Sequence, residues 1–97
     1  MPAFQAKVVT IISRDEVRET ILEAFKAFGV NGFSYDSIKG QGPHGQRHGG
    51  LFEGENVIFT VVTTEAIATR VLKWAEEDLL PVFHAVVYVT DAAALIG

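Results

Sequence analysis

The sequence contains no cysteine among its 97 residues. This absence excludes a disulfide framework, a thiolate metal site and a cysteine nucleophile. The chain also lacks an excess of basic residues: its formal net charge is −4, which argues against a role in binding nucleic acid. No apolar run reaches the length that crosses a bilayer, and the N-terminal residues do not have the pattern of a signal peptide. We therefore expect a cytoplasmic protein.

The length and a hydrophobic fraction of 48% are typical of one globular domain, and we expect residues 1–97 to form it. Hydrophobic periodicity predicts two helices, one after the first strand and one after the third, in the order β-α-β-β-α-β. The four strands are predicted at Phe4–Ile12, Gly32–Ile38, Glu55–Thr63 and Val82–Thr90.

Helix boundaries are predicted from capping residues. Ser13 and Glu16 have the spacing of a capping box, so the first helix is expected to begin there. It is predicted to end near Phe28, with Gly29 as its C-cap. Thr63 or Thr64 is expected to cap a second helix that runs to about Asp78 and stops before Pro81. The segment Asp91–Gly97 is expected to form a short helical turn.

This order of elements predicts an α+β fold, a ferredoxin-like βαββαβ sandwich. Two helices can cover only one face of a four-stranded sheet, whereas the predicted strands are apolar on both faces. An uncovered apolar face is typical of an interface, so we predict a homo-oligomer; the alternative is a monomer with more strongly curled strands. The residues assigned to the uncovered face are Val9, Ile11, Ile58, Val62, Val86 and Tyr88.

Between the second and third strands lies a long glycine-rich loop, Lys39–Gly54, which holds six of the nine glycines of the chain. Loops of this length in small domains are usually functional or disordered. Gly40 and Gly42 can bring backbone N–H groups close to an anion, and Lys39 and Arg47 supply positive charge. The pattern indicates a phosphate site at the base of the loop; a merely flexible loop is the alternative.

Other candidate chemistry in the sequence is weaker. His44 and His48 are four residues apart in a glycine-rich context that disfavours a helix, and His84 is distant from both in sequence. A metal site built on them would need carboxylates or a neighbouring subunit. The acidic run Glu76–Asp78 is expected to be a solvated helix end. No arrangement of serine, histidine and aspartate predicts an enzyme.

Three stretches resemble the PII signalling proteins. Val30–Ser37 followed by Ile38–Gly42 is similar to the second strand of that family and the base of its T-loop. Val82–Val89 is similar to the last strand. Thr90–Gly97 resembles the short tail of PII-like proteins linked to inorganic-carbon uptake, the SbtB-like and carboxysome-associated branch. The resemblance covers nearly the whole chain.

The resemblance implies a non-enzymatic homotrimer with its sheets facing inward and adenine-nucleotide sites in the clefts between subunits. Lys39, Gly40, Gln41 and Gly42 would then line the phosphate end, with Arg47 as a second phosphate contact. The other residues that it places at the nucleotide, with the weakest assignments last, are Phe83, His84, Ala85, Ile11 and Thr63.

The chain departs from typical PII proteins in three ways. Leu79–His84 occupies the position where they carry a second loop with glycine and lysine, and the Lys39–Gly54 loop has no tyrosine for uridylylation. We also expect no basic C-terminal extension. We therefore expect ADP or AMP to compete well with ATP. The departures favour the carbon-linked branch, with bicarbonate as an effector and a membrane bicarbonate transporter as the partner of the loop.

Two other functions remain open from the sequence. One is a metal-binding trimer resembling the CutA proteins, which share this fold and for which the three histidines would supply ligands. The other is a slow nucleotide hydrolase, in which Glu53 or Glu55 would orient a water molecule. If the protein is PII-like, the segment Lys39–Gly42 is expected to bind the phosphate. The segment Pro43–Gly54 is then expected to become ordered when a ligand or partner binds.

Overall fold

The computed structural model of the protein describes residues 4–30, 32–40 and 54–95. Four strands form one sheet: β1 is Phe4–Arg14, β2 is Ser34–Gly40, β3 is Gly54–Thr63 and β4 is Ala85–Ala94. A single 3₁₀ turn follows β1 and leads into helix α1, Arg18–Phe28. Helix α2 is Glu65–Trp74, and a π-helical turn at Ala75–Leu79 extends it.

The sheet has the strand order β2-β3-β1-β4, and each neighbouring pair is antiparallel. The two strands joined by the glycine loop therefore lie side by side, while β4 crosses over to the far edge beside β1. The predicted ferredoxin-like α+β fold is confirmed in the described part of the chain.

The core lies between the helices and one face of the sheet. Phe25 of α1 and Phe59 of β3 are both fully buried, and their rings meet edge to face with centroids 5.5 Å apart. Alternation along the strands brings every second residue to this face. The main strand and helix residues of the core are Val9, Ile11, Val57, Phe59, Val61, Ile21, Phe25, Ala68 and Val71.

The opposite face of the sheet is covered by no described helix, as predicted, but the sequence-based assignment of β1 to it is wrong. Val9 and Ile11 lie in the core. The strand register instead places the neighbouring residues on the open face. This open face, as we call it below, consists of Val8, Thr10, Ile12, Ile58, Thr60, Val62, Val86 and Tyr88.

The predicted capping box is also wrong. Ser13 is part of β1 and fully buried, and its hydroxyl donates to the Arg14 carbonyl at 3.1 Å rather than capping a helix. The turn into α1 is instead held by Asp15: Arg18 Nη2 donates to Asp15 Oδ1 and Oδ2 at 2.6 and 2.8 Å. The hydrogen bond to Asp15 and its negative charge raise the pKa of Arg18 above its usual value. By contrast, the predicted cap at Thr64 is confirmed, since its hydroxyl accepts from the Ile67 amide.

At the C-terminal end, β4 replaces the predicted helical turn. The strand continues through Ala94, which pairs with Phe4, so residues of low strand propensity are held by the ladder with β1. Lys7 and Asp91 face each other in that register and form an ion pair. The hydrogen bond to Asp91, together with its charge, raises the pKa of Lys7. β4 also starts later than predicted, at Ala85 rather than Val82.

Gly29 ends α1 in the left-handed conformation, with φ at 74°. A side chain in this region costs about 1–2 kcal/mol. We therefore expect Gly29→Ala to lower the free energy of unfolding by about that amount, as measured by urea denaturation. Gly32→Ala is the matched control, because Gly32 has no positive φ and an added Cβ would meet nothing within 4 Å. Equal effects of the two substitutions would contradict this explanation of the helix end.

Candidate functional site

The base of the glycine loop is formed by paired strands. The strand β2 extends two residues beyond the predicted end at Ile38, so Lys39 and Gly40 are strand residues rather than loop residues. Lys39 pairs with Glu55, and Gly40 pairs with Gly54. The Gly40–Gly54 pair is therefore the last described pair of the β2–β3 ladder at this end of the sheet.

Gly54 and Asn56 shape the return into β3. Gly54 has φ at 95°, a conformation that favours glycine. The buried Asn56 side chain donates from Nδ2 to the Gly54 carbonyl at 2.9 Å. Asn56 is a site residue that was not predicted. Its signal in the sequence is one polar residue next to a run of apolar strand residues, where a buried amide needs a hydrogen-bond partner.

Lys39 supplies a positive charge at this base. Its side chain is exposed and lies opposite Glu55 across the β2–β3 ladder. Within the described residues, no carboxylate lies within ion-pair distance of the Lys39 ammonium.

The second group of predicted residues, Phe83–Ala85, lies at the other edge of the sheet. Ala85 begins β4 and pairs with Ser13, which in turn pairs with Val57. Phe83 and His84 precede the strand, so the prediction that His84 is a strand residue is wrong; its side chain is exposed. The Phe83 amide donates to the Leu79 carbonyl at 2.8 Å, which fixes this connection to the end of the helical layer.

The two groups share one end of the sheet but not one edge. Strands β2 and β4 are separated by β3 and β1, that is, by three strand spacings. At about 4.8 Å per spacing, their axes are about 14 Å apart. One chain therefore cannot bring Lys39–Gly40 and Phe83–Ala85 against the same small ligand. Two copies placed edge to edge can do so.

Two weaker candidates lie elsewhere. Ile11 is fully buried in the core, so its side chain packs between sheet and helices, and only its backbone could contribute to a ligand site. Thr63 is half-buried at the far end of β3, where it pairs with Lys7. It lies eight residues along β3 from Glu55, about 26 Å at 3.3 Å per residue. Within one chain Thr63 is therefore remote from the loop base.

Several predicted residues lie outside the described part of the chain, and their assignments stay predictions. These are Gln41, Gly42 and Arg47 of the phosphate site, His44 and His48 of the metal hypothesis, and Glu53 of the hydrolase hypothesis. In residues 4–30, 32–40 and 54–95, no group of three histidine, aspartate or glutamate side chains is placed to hold a metal ion. Nor does any helix in those ranges have the length and apolar character needed to span a membrane.

Solved structures similar to this chain include PII-like proteins. A PII-like signalling protein from Thermus thermophilus is 25% identical, with a TM-score of 0.79 over 98% of this chain and 94% of that one. CPII, a nitrogen regulatory PII-like protein from Thiomonas intermedia, solved with ADP, AMP and bicarbonate, is 18% identical, with a TM-score of 0.77 over 98% of each chain. CPII with ADP, AMP and acetate is 17% identical, with a TM-score of 0.80 over 99% of this chain and 94% of that one.

At 17–18% identity, the similarity to CPII concerns the fold alone. A comparison with curated proteins found no match to this sequence. A family model, in contrast, matches the sequence directly. The model of the nitrogen regulatory protein P-II matches residues 6–95. Since this match spans nearly the whole length, the chain belongs to the nitrogen regulatory protein P-II family.

Proposed function

We propose that this protein is a homotrimeric signalling regulator that binds ADP or AMP in the clefts between its subunits. Membership of the P-II family supports a regulator rather than an enzyme. Structures of CPII, whose fold this chain shares, contain ADP, AMP and bicarbonate. The nucleotide then acts as an effector, and its binding state is the signal.

The observation that carries the proposal is the division of the predicted site between two sheet edges. Lys39 and Gly40 lie on the β2 edge, and Phe83–Ala85 lie beside the β4 edge at the same end of the sheet. In a closed ring of subunits, the β2 edge of each copy meets the β4 edge of the next. The phosphates then lie at the β2 edge and the adenine lies against the backbone of Phe83–Ala85.

Assembly also accounts for the open face of the sheet. Val62 and Tyr88 are 47% and 46% exposed there, although both are large apolar side chains. Exposed apolar patches of this kind are typical of interfaces. A ring of subunits whose sheets face inward buries the open face of every subunit. The same arrangement leaves both helices on the outside.

The connection between α2 and β4 affects which nucleotide binds well. Leu80 and Val82 are exposed, and the stretch Leu79–His84 contains neither glycine nor lysine. It therefore offers no lysine side chain for a terminal phosphate. With Lys39 as the described cation of the site, ADP or AMP competes well with ATP.

We further propose that bicarbonate is a second ligand beside the phosphates and that the Lys39–Gly54 loop controls a membrane bicarbonate transporter. A small anion suits the Lys39 ammonium and backbone N–H groups of a glycine-rich turn. The absence of a tyrosine in the loop argues against control by uridylylation. Both features support the carbon-linked branch of the family as the one to which we assign the protein.

Lys39→Ala is expected to weaken ADP binding about tenfold in a calorimetric titration. A hydrogen bond to a charged group contributes about 1.5–3 kcal/mol, and 1.4 kcal/mol is a factor of ten. Because Lys39 is exposed, we expect an effect at the lower end of this range. Bicarbonate as the second ligand is tested by repeating the wild-type titration in bicarbonate buffer and in chloride of the same concentration. The affinity for ADP should be higher in bicarbonate than in chloride.

Lys26→Ala is the matched control, because Lys26 is an exposed lysine in the last turn of α1 and is not part of the sheet. Its affinity for ADP should equal that of the wild type. Equal affinity of the Lys39→Ala variant and the wild type would contradict the placement of the phosphates. Equal ADP affinity in bicarbonate and chloride would contradict only the role of bicarbonate.

A further inference from the structure

A cavity of about 250 Å³ lies in the helical layer, outside the proposed nucleotide site. Pockets for drug-sized ligands usually have volumes of about 300–1,000 Å³, so this cavity suits a smaller molecule than a nucleotide. Both helices contribute to it. Its lining residues are Phe28, Arg70, Lys73, Trp74, Glu77 and Asp78.

The aromatic part of the cavity is preformed. Phe28 at the end of α1 and Trp74 at the end of α2 meet edge to face, with ring centroids 5.9 Å apart and an interplanar angle of 69°. Both side chains are half-buried, and both pack against the core. Their rings therefore form a fixed apolar surface that faces the cavity.

The charged part of the cavity has both signs. Residues three and four apart on a helix are neighbours, so Arg70 precedes Trp74 on its own face, and Glu77 and Asp78 follow it. Lys73 is one residue before Trp74, on the adjacent side of the helix, and also lines the cavity. All four charged side chains are exposed. In the described part of the chain, none of them takes part in an ion pair. Because these side chains are exposed and the surface of the cavity is mainly apolar, the two cations and the two carboxylates lie at its rim, around an apolar floor.

The two carboxylates stand on a widened helical turn. Beyond Trp74 the helix changes to π geometry at Ala75–Leu79, and the Leu80 amide donates to the Ala75 carbonyl at 2.8 Å. Such turns are rare and occur frequently at functional sites. Here the change in geometry begins directly after Trp74. The two carboxylates therefore lie on a π-helical turn, whereas the two cations lie on the α-helix.

We propose that this cavity binds a free α-amino acid with an apolar side chain. Its carboxylate pairs with Arg70 and Lys73, and its ammonium group pairs with Glu77 and Asp78. The side chain packs against Trp74 and Phe28. A simple anion or a simple cation would pair with only half of the charged groups, whereas a free amino acid pairs with both halves. The site would give the regulator a second input, independent of the nucleotide.

Trp74 is the single tryptophan of the chain and reports directly on the cavity. Titration with L-leucine should produce a saturable change in its fluorescence. N-acetyl-L-leucine lacks the ammonium group and L-leucinamide lacks the carboxylate, so each should bind at least about tenfold more weakly, as expected for the loss of a charged pair. L-phenylalanine should bind like L-leucine.

Arg70→Gln and Glu77→Gln should each weaken L-leucine binding about tenfold. Glu76→Gln is the matched control, because Glu76 lies on the same turn but does not line the cavity. Circular dichroism confirms that each variant is folded. All three variants should bind ADP like the wild type, which separates this site from the nucleotide cleft.

The proposal is overturned if neither L-leucine nor L-phenylalanine produces a saturable change in Trp74 fluorescence. It is also overturned if the two blocked derivatives bind as well as L-leucine, or if Arg70→Gln and Glu77→Gln bind L-leucine like Glu76→Gln. None of these results depends on whether ADP binds. A failure of the amino-acid proposal would therefore not contradict the proposed nucleotide function, which the ADP titration tests separately.

Discussion

Replacement of Phe59 with alanine is expected to lower the free energy of unfolding by about 3–5 kcal/mol. Phe59 is fully buried at the centre of β3. Its ring stacks on Tyr35 with centroids 5.2 Å apart and meets Phe25 at 5.5 Å. Removal of the ring leaves a cavity between sheet and helix that the fixed strand register cannot close. Because small domains are stable by only about 5–15 kcal/mol, this is a large fraction of the total.

Urea denaturation at one fixed protein concentration measures this effect, since assembly makes stability depend on concentration. Phe4→Ala is the control: it removes the same side chain from the exposed start of β1, where 42% of Phe4 is accessible. We expect Phe4→Ala to cost less than about 1 kcal/mol. Similar losses for the two variants would contradict the assignment of Phe59 to the centre of the core.

A charge on the open face is expected to abolish assembly. Val62→Asp places a carboxylate on the surface that the proposed trimer buries, once in every subunit. Burial of an unpaired charge costs several kcal/mol, and the three copies repel one another. Sedimentation velocity should therefore show a monomer where the wild type is a trimer. Because each nucleotide cleft needs two subunits, the variant should also lose ADP binding.

Leu72→Asp provides a matched control. Leu72 is also a large apolar residue, 40% exposed, but it lies on helix α2. The variant should remain a trimer and bind ADP like the wild type. If Val62→Asp sediments as a trimer, or if Leu72→Asp dissociates equally, the open face is not the assembly surface.

The order of elements, the end of α1 and the start of α2 could be predicted from the sequence because their signals are local. Gly29 has the left-handed φ that a C-cap requires, and Thr64 caps α2 as its hydroxyl suggests. The capping box at Ser13 failed because β1 continues through Arg14, where it still pairs with Asn56. A ladder of cross-strand hydrogen bonds outweighs the capping preference of one serine.

The face of β1 that the helices cover could not be predicted, for a different reason; the assignment of Ile58, Val62, Val86 and Tyr88 to the open face is confirmed. Val8, Val9 and Ile11 are all apolar, so alternation cannot tell which face the helices cover. The assignment depends on long-range packing of Phe25 and Phe59, which no local pattern contains. The same limit explains the C-terminal end, where Ala94 belongs to a strand only because Phe4 is its partner.

The candidate site was predicted only in part. The sequence indicated Lys39 and Gly40 through their residue types, and the structure places both at the edge strand β2. That Phe83–Ala85 lie at the other edge follows from the strand order, which the sequence pattern does not determine. Asn56 was missed because its role depends on the Gly54 carbonyl beside it. The remaining predicted contacts, Gln41, Gly42 and Arg47, lie outside the described residues.

The central claim is that neighbouring copies of this chain together form an adenine-nucleotide site. A calorimetric titration of the wild-type protein with ADP, at a concentration where sedimentation shows the assembled state, tests it most directly. We expect saturable binding with one ADP per chain, three per trimer, and no binding by the monomeric Val62→Asp variant. The absence of binding heat at millimolar ADP, or ADP binding to the monomer as tight as to the trimer, would contradict it.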